Sequence, residues 1–473
     1  MLRPTFSSTL LALLCGLALA AWADGQTAPP RAAASAGVAA SLGETTVSFE
    51  ELDALILGRH ALSPTGRETM LFLLNLRVVE SIARELGVSA DSKEVAAMLA
   101  EVEAGLITSG EARSLDEYLM AEGIERAEFE RSLKSSVLQR ELTRRALGIP
   151  AGGPVSGEQQ EVWLSAQIGE RGLVEHDAPW NDGLVLACAD VSLSRDEFLV
   201  YLRKRVDRES LREGLVELLR VKNMRARMPD LTDGAFLRAV DEEILGRRNA
   251  VLADPAYQGI PYEQLLASQG IIFSLWAQDP SVQEGALART WVERKYTPES
   301  LRLVYEDERE LFDSIYGEAV ETWVLFLRAT ERGNELLRDF NAAERILSQV
   351  LANTSTKAGF MQRVQLLSED KGSRNKEGLL GWITRPASPS PTREAIFEAL
   401  DSGAFKPNAP GDSPTRLLGP VRTESGVLLL WLGRRRPAPA WSSMVVHVAR
   451  ELRQRFRDTA LDARAVVTFF DAP

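Results

Sequence analysis

The sequence is poor in the residues that bind metals or form disulfides. Its 473 residues include two cysteines and three histidines. Cys15 lies in an apolar N-terminal run, and without that run Cys188 has no partner for an internal disulfide. His60, His176 and His447 stand far apart, with no spacing typical of a metal site. The sequence therefore predicts neither a metal nor a cofactor, and Cys188 is expected to be a small buried residue.

Long apolar runs are scarce as well, and the N-terminal run is short. Residues 10–20 are apolar, Arg3 precedes them, and Ala-Trp-Ala at residues 21–23 follows as a small-x-small cleavage pattern. This order is typical of a secretory signal. A membrane anchor is the alternative, but the run is shorter than the ~20 residues that span a bilayer. We therefore predict a signal peptide at residues 1–23, export of the chain, and no stable membrane span in the mature protein.

Basic residues are fewer than acidic residues. The chain has 55 lysines and arginines against 67 aspartates and glutamates, a formal net charge of −12. Loss of residues 1–23 removes only Arg3, which makes the charge −13. An acidic surface repels phosphate backbones, so nucleic acid is not expected as a partner. The sequence also lacks the glycine-rich loop ending in lysine that cradles nucleotide phosphates, which predicts a function independent of ATP.

Helical periodicity fills much of the chain before residue 316. Ser48 followed by Glu51 has the pattern of an N-terminal capping box. Further along, Leu71, Leu74 and Val78 lie on one stripe at helical spacing, which predicts an amphipathic helix. The first part of the chain is therefore expected to be mainly helical.

Two motifs of this helical region occur twice in the same order. Val-Ser-Phe at residues 47–49 has a counterpart in Val-Ser-Leu at residues 191–193, an offset of 144 residues. Val-Ser-Gly-Glu at residues 155–158 has a counterpart in Tyr-Thr-Pro-Glu at residues 296–299, an offset of 141 residues. Offsets this similar indicate a duplicated helical module. Chance similarity between amphipathic helices is the alternative explanation.

Composition suggests where the domains begin and end. A flexible lead rich in Ala, Gly and Pro is predicted at residues 24–43, and the two copies of the helical module at residues 44–168 and 184–316. Short apolar runs then alternate with helical patterns, which predicts an α+β domain at residues 318–436. A C-terminal helix and strand at residues 440–473 are expected to pack on a helical module. The predicted fold class is mainly α with one α+β domain.

The α+β segment contains a sequence with family character. Leu-Ser-Glu-Asp at residues 367–370 is followed by Lys-Glu-Gly-Leu-Leu-Gly-Trp at residues 376–382. Ala-Ile-Phe-Glu-Ala-Leu at residues 395–400, Gly-Pro-Val at 419–421 and Glu-Ser-Gly at 424–426 come next. In this order the motifs resemble the Ser-x-Asp and Gly-Gly-x-Leu-Gly-Trp signature of parvulin-type prolyl isomerase domains.

The chain as a whole resembles the SurA, PpiD and PrsA type of chaperones. Those proteins join a helical chaperone module to a parvulin domain, and a C-terminal helix returns to the helical module. The resemblance implies two copies of the SurA-like N-terminal module, one parvulin-like domain and a returning helix. It also implies a periplasmic location and unfolded or extended polypeptides as partners, such as precursors of outer-membrane proteins.

The resemblance also shows which catalytic groups the domain lacks. The sequence has no histidine between Lys295 and Met444. Trp323 stands where the family has the histidine of its first strand, Leu428 stands where it has the histidine of its last strand, and Asp370 occupies a Cys or Asp position. Indole and isobutyl side chains cannot relay hydrogen bonds as imidazole does. Isomerase activity is therefore expected to be weak or absent. Asp370 is either a residual catalytic group or a turn residue.

Candidate peptide-binding residues come from both regions. In the parvulin-like domain the resemblance implies that the peptide-binding residues are Leu380, Trp382, Thr392 and Phe397. In the helical modules, client binding requires exposed apolar surface, for which the candidates are Phe72 and Trp276. The alternative for these side chains is ordinary packing in a domain core.

Three functions remain open from the sequence. The first is an ATP-independent chaperone that binds unfolded chains. The second is a working prolyl isomerase with an altered site. The third is a helical adaptor for one fixed protein partner. Suppression of client aggregation, catalysed proline isomerisation and a single stoichiometric partner would distinguish them in that order.

Overall fold

The chain forms two compact units. The computed structural model describes residues 37–121, 124–257, 259–332, 338–385, 390–406 and 416–469. Unit 1 comprises residues 1–290 and 456–473, and unit 2 comprises residues 291–455. The predicted signal peptide lies outside the described residues, as does most of the predicted lead. Within the described residues, no helix combines the length and the apolar character that crossing a bilayer requires.

The first half of unit 1 is a β-hairpin followed by helices. Its elements are β1 Val38–Leu42, β2 Thr45–Ser48, α1 Phe49–His60, α2 Pro64–Glu85, α3 Ser92–Ser109, α4 Leu115–Ala121, α5 Arg126–Ala146, α6 Gly157–Glu170 and β3 Leu173–Glu175. The capping box predicted at Ser48 is confirmed, because its hydroxyl accepts from the Glu51 N–H and the Glu51 carboxylate accepts from the Ser48 N–H. The local sequence thus sets the start of α1.

The second half of unit 1 has the same order of elements. They are β4 Leu184–Cys188, β5 Val191–Ser194, α7 Arg195–Arg205, α8 Arg208–Ala226, α9 Asp233–Ala253, α10 Tyr262–Ser268 and α11 Pro280–Lys295. In each half a hairpin leads directly into two helices, and a long helix, a short helix and another long helix follow. Cys188 is fully buried in β4, as predicted.

Each hairpin is completed by a third strand. In one sheet the order is β3-β4-β5, and Val174 pairs with Ala187. In the other sheet the order is β10-β1-β2, where β10 is Val467–Thr468 near the end of the chain and Thr468 pairs with Ala40. One hydrophobic core contains residues of both hairpins and of α1, α2, α7 and α8. The two halves therefore share a core.

Unit 2 is an antiparallel sheet with helices on both faces. Its elements are α12 Pro298–Asp307, α13 Arg309–Tyr316, β6 Ala319–Arg328, α14 Phe340–Ala352, α15 Lys357–Leu367, α16 Lys371–Arg374, β7 Leu379–Thr384, α17 Pro391–Asp401, β8 Leu417–Thr423, β9 Gly426–Arg436 and α18 Trp441–Thr459. The strand order is β7-β6-β9-β8. The prediction of a mainly α chain with one α+β domain is confirmed.

The helix α18 belongs to both units along its length. Up to Arg455 it lies in unit 2, where Met444, Val448 and Leu452 pack with residues of α11, α12 and α13. From Phe456 onward it lies in unit 1, where Arg457 pairs with the buried Glu284 carboxylate at 2.7 Å. The end of the predicted C-terminal strand, from residue 470, is outside the described residues.

Candidate functional site

The sheet of unit 2 has two differently packed faces. On one face α14 and α15 cover a core that includes Trp323, Leu325 and Trp431. On the other face α17 packs against a second core that includes Leu428 and Leu430. Because successive side chains of a strand point to opposite faces, this division decides which residues can form one site.

Trp323 and Leu428 lie on opposite faces of the sheet. Leu428 pairs directly with Phe326, whereas Trp323 pairs with Trp431. Residues 428 and 431 are an odd number of positions apart, so their side chains point in opposite directions. The two residues that stand at the histidine positions of the family therefore do not face one another in this sheet. The β6 residues nearest to Leu428 on this face are Val324 and Phe326, which are apolar, and Thr322 follows them with a hydroxyl that donates to the Val320 carbonyl at 3.0 Å.

Trp323 is instead part of a core beside a cation. Its side chain is buried, and the Lys357 ammonium lies 3.4 Å from the centroid of its ring. Burial lowers the pKa of Lys357. The cation–π contact and the packing explain the tryptophan at this position without a catalytic role.

Asp370 is the N-cap of the short helix α16. Its carboxylate accepts from the N–H of Gly372 at 3.3 Å, from the N–H of Ser373 at 3.1 Å, and from the Ser373 hydroxyl. The Ser373 hydroxyl is the main cause of the lowered pKa of Asp370, since a hydrogen bond to the charged form stabilises it. An ionised carboxylate occupied by three donors fits the turn-residue alternative rather than a proton donor.

The other parvulin-like candidates divide between core and surface. Phe397 is buried against the sheet, and the Arg385 guanidinium lies 4.6 Å from its ring centroid. Thr392 is half-buried in the first turn of α17. Part of the preceding proline run, residues 386–389, lies outside the described residues. Phe397 is therefore a packing residue, whereas the edge of the sheet carries a large exposed aromatic group.

That edge is the strand β7. Leu380 and Trp382 are each 42% exposed, and Leu379 is 38% exposed. Trp382 is thus not a core residue, which corrects the packing alternative for it. The guanidinium groups of Arg434 and Arg436 each lie 5.7 Å from the Trp382 ring centroid. The structure thus brings the exposed aromatic ring of β7 together with two cations of β9.

The candidates in the helical unit have different surroundings from those predicted. Trp276 is buried, and its indole N–H donates to the Tyr262 hydroxyl at 3.0 Å. Phe72 is half-buried, with the Arg205 guanidinium 4.7 Å from its ring centroid. Trp276 is therefore corrected from a surface residue to a core residue, and Phe72 is only partly available.

Sequence reasoning missed an exposed leucine stripe on α9. Leu237, Leu245 and Leu252 are between half and two-thirds exposed, while Ala239 and Val240 on the same helix are buried. The spacing of eight and then seven residues places the three leucines along one side of the helix. Helical periodicity across residues 237–252 was the available signal. Periodicity could not show that Ala239 and Val240 would be covered by neighbouring elements while the three leucines would stay exposed.

Comparison with known proteins supports a parvulin domain in unit 2. Residues 326–410 match the family model "Rotamase: PPIC-type PPIASE domain". The class defined by this match is the parvulin type of peptidyl-prolyl isomerase domain, and the resemblance stated from the sequence is confirmed for this domain. The chain therefore contains a parvulin-type domain. No curated protein matches the chain.

Several solved structures are similar to larger parts of the chain. The peptidylprolyl isomerase PrsA from Bacillus cereus is 14% identical over 57% of this chain and 83% of its own, with a TM-score of 0.22. PrsA from Streptococcus pneumoniae is 13% identical over 57% and 86%, with a TM-score of 0.20. A SurA-like chaperone from Campylobacter jejuni is 15% identical over 49% and 82%, with a TM-score of 0.22.

Proposed function

We propose that the chain is an exported, periplasmic, ATP-independent chaperone that binds unfolded or extended polypeptides, such as precursors of outer-membrane proteins. Its parvulin-type domain then serves as a peptide-binding scaffold with weak or no isomerase activity. One observation carries the second part of this proposal. The sheet face that contains Leu428 presents Val324, Phe326 and Leu430 beside it, and all four side chains are apolar.

The chemistry of prolyl isomerisation explains why this face matters. Rotation about the peptide bond has a barrier of ~18–20 kcal/mol. A catalyst lowers that barrier by binding the twisted amide more tightly than the planar amide. Aliphatic and phenyl side chains have no donor or acceptor for the amide groups. A sheet face lined in this way, with Val324, Leu428 and Leu430 buried, has little with which to stabilise the transition state.

The α9 leucine stripe supports the chaperone part of the proposal. Three large apolar side chains stand exposed along one helix, and exposed apolar patches mark sites of interaction. Charged residues such as Arg238, Asp241 and Glu242 lie between the leucines, which keeps the surface hydrated when no client is bound. An unfolded chain offers the complementary apolar segments.

We also propose that residues 44–168 and 184–316 are two copies of one helical module. The repeated order of elements in the two halves of unit 1 supports this proposal, together with the two motif offsets in the sequence. Since the two halves share one hydrophobic core, the pair of modules would act as one folding unit.

An aggregation assay and an isomerase assay on the same sample test the function. We expect the purified chain, without ATP, to suppress aggregation of a denatured outer-membrane protein precursor at equimolar ratio. We expect no acceleration of cis–trans exchange in a proline-containing test peptide above the spontaneous rate. Clear catalysis would contradict the scaffold proposal and favour the isomerase alternative. Failure to suppress aggregation would contradict the chaperone proposal.

Variants of the leucine stripe test the client surface. Replacing Leu237, Leu245 and Leu252 by serine is expected to lower aggregation suppression at least threefold while the circular dichroism spectrum stays unchanged. Leu303→Ser on α12 is the matched control, because Leu303 is 60% exposed on another helix. Equal activity of the triple variant and the control would remove α9 from the client surface.

A further inference from the structure

Strand β7 is an edge of the unit 2 sheet whose outer side is open. Within the described residues it pairs with β6 alone. The Arg385 N–H donates to the Glu318 carbonyl at 2.7 Å, and pairing continues through Ile383 with Val320 and Gly381 with Thr322. Alternate residues of an antiparallel strand direct their N–H and C=O groups to opposite sides. Since Gly381 and Ile383 bond to β6, the backbone groups of Trp382 point to the open side.

The edge lacks side chains that usually prevent strand addition. The sequence of β7 is Leu-Leu-Gly-Trp-Ile-Thr, with no charged residue and no proline. Natural edge strands are commonly protected by lysine, proline or short length. Thr322 pairs with Gly381 and Trp323 with Leu379, so Leu380 is an extra residue in β7, whereas residues 381–384 pair regularly with β6. The regular, uncharged stretch at residues 381–384 is suited to pairing with another extended chain.

The surroundings of β7 indicate what kind of chain would fit. Leu380 and Trp382 offer exposed apolar contacts, and Thr384 limits the open stretch because its hydroxyl donates to the Ser314 carbonyl of α13. Arg434 is 75% exposed and pairs with Glu321 at 3.1 Å. Together with Arg436 it places two cations beside the Trp382 ring. An acidic residue next to an apolar residue would therefore be favoured in the ligand.

We propose that β7 is a β-strand-addition site that takes an extended segment of a polypeptide client as a fifth strand. The backbone hydrogen bonds would provide affinity independent of sequence, and alternate apolar side chains would contact Leu380 and Trp382. This proposal rests on the proposed chaperone function and specifies how the parvulin-type domain binds its client. The ligand class is an extended peptide with apolar residues at alternate positions and an acidic residue near Trp382.

The test uses the full chain and a labelled synthetic peptide of about ten residues with alternating valine and tyrosine and one central aspartate. Fluorescence anisotropy measures its Kd. Replacing Leu380 and Trp382 together by lysine is expected to weaken binding at least tenfold. Leu366→Lys is the matched control, because Leu366 is 80% exposed on α15 of the same unit, and it is expected to change the Kd less than twofold.

The backbone contribution is tested with a modified peptide. N-methylation of the peptide amides along one edge removes donors for strand pairing but keeps every side chain. We expect at least tenfold weaker binding of this peptide than of the unmodified one. In amide hydrogen exchange, the Trp382 N–H should become protected when the unmodified peptide binds, whereas the Gly381 N–H should be protected in both states.

The outcomes separate this proposal from the chaperone function. Three results would overturn the strand-addition site. The peptide could bind the double lysine variant as tightly as the unchanged chain, the N-methylated peptide could bind as tightly as the unmodified peptide, or the unmodified peptide could fail to bind. Aggregation suppression by the same samples would show whether the chaperone proposal survives that result. Self-association of the unliganded chain that disappears in the double lysine variant would also overturn it, because a second copy would then be the occupant.

Discussion

The two halves of the helical unit close their sheets in different ways. The sheet of the second half is completed by β3, which precedes β4 by only eight residues, and the connecting loop places Trp180 in the core. In the first half, the third strand β10 comes from the far end of the chain, after the whole of unit 2. One closure is local in sequence and the other is long-range. Pairing β10 with β1 therefore costs more chain entropy than pairing β3 with β4, because a much longer segment of chain is closed.

The two halves also differ in how charge links their helices. In the first half, Arg131 of α5 binds Glu80 of α2 at 2.7 Å, and both side chains are partly exposed. In the second half, Glu284 of α11 is 1% exposed and binds Arg220 of α8 at 2.8 Å and Arg457 of α18 at 2.7 Å. The second half thus uses a buried carboxylate to bind the returning helix.

The largest expected change in stability comes from a substitution in the loop that joins β3 to β4. Trp180 is buried, its indole N–H donates to the His176 carbonyl at 2.8 Å, and its ring lies 5.4 Å from that of Phe198. Trp180→Ala should lower the free energy of unfolding of unit 1 by about 4 kcal/mol through the cavity it leaves. The measurement is native-state hydrogen exchange of α7 peptides.

The matched change in the long-range closure is Val466→Ala, just before β10. Val466 is also buried in the shared core, but it is a smaller side chain, so a loss of about 1.5 kcal/mol is expected from the same measurement. A larger loss for Val466→Ala than for Trp180→Ala would show that the long-range closure, and not the local one, controls the stability of unit 1.

The next effect concerns the buried carboxylate. Glu284→Ala leaves the Arg220 and Arg457 side chains without this partner. The free energy of unfolding is expected to fall by about 3 kcal/mol. This value is at the lower end for a broken buried pair, because both arginines are partly exposed. Glu80→Ala in the first half should cost below about 1 kcal/mol. Thermal unfolding of the full chain measures both. Equal effects would mean that burial of Glu284 is not what distinguishes the halves.

The smallest expected effect is on the pH dependence of stability, and it comes from His60 in the first half. Burial is the main cause of the lowered pKa of His60, and the charge of Arg59 adds to it. The unfolded chain therefore binds a proton at higher pH than the folded chain, so stability falls as pH decreases below about 6.5. His60→Gln should reduce this loss between pH 7 and pH 5 in denaturant titrations. An unchanged pH profile in His60→Gln, with His176→Gln as control, would assign the loss to other groups.

Local signals in the sequence were sufficient for several elements. The Ser48 and Glu51 capping box depends on residues three positions apart, so it could be predicted without knowledge of the fold. The motif order around residues 367–426 indicated a parvulin-type domain, which the family match confirms. Burial of Cys188 followed from its residue type and the absence of a partner cysteine.

The site was predicted less well, because it depends on faces and edges. Trp323 and Leu428 were assigned to positions of one family site, but which face of the sheet each occupies could not be predicted, because a difference of one position along a strand reverses the face. Trp276 was placed on the surface and is buried, whereas Trp382 is exposed on an edge strand. Residue type alone does not distinguish a tryptophan in a core from one beside an open edge.

The sequence by itself determined the mainly helical composition, the presence of one α+β domain after the helical region, and the absence of histidine from that domain, since these depend on residue identity and short-range spacing. Only the tertiary structure decided that β10 completes the first hairpin and that β7 has an open side. Those features depend on which distant segments pair, and pairing between residues such as Ala40 and Thr468 leaves no local signal in the chain.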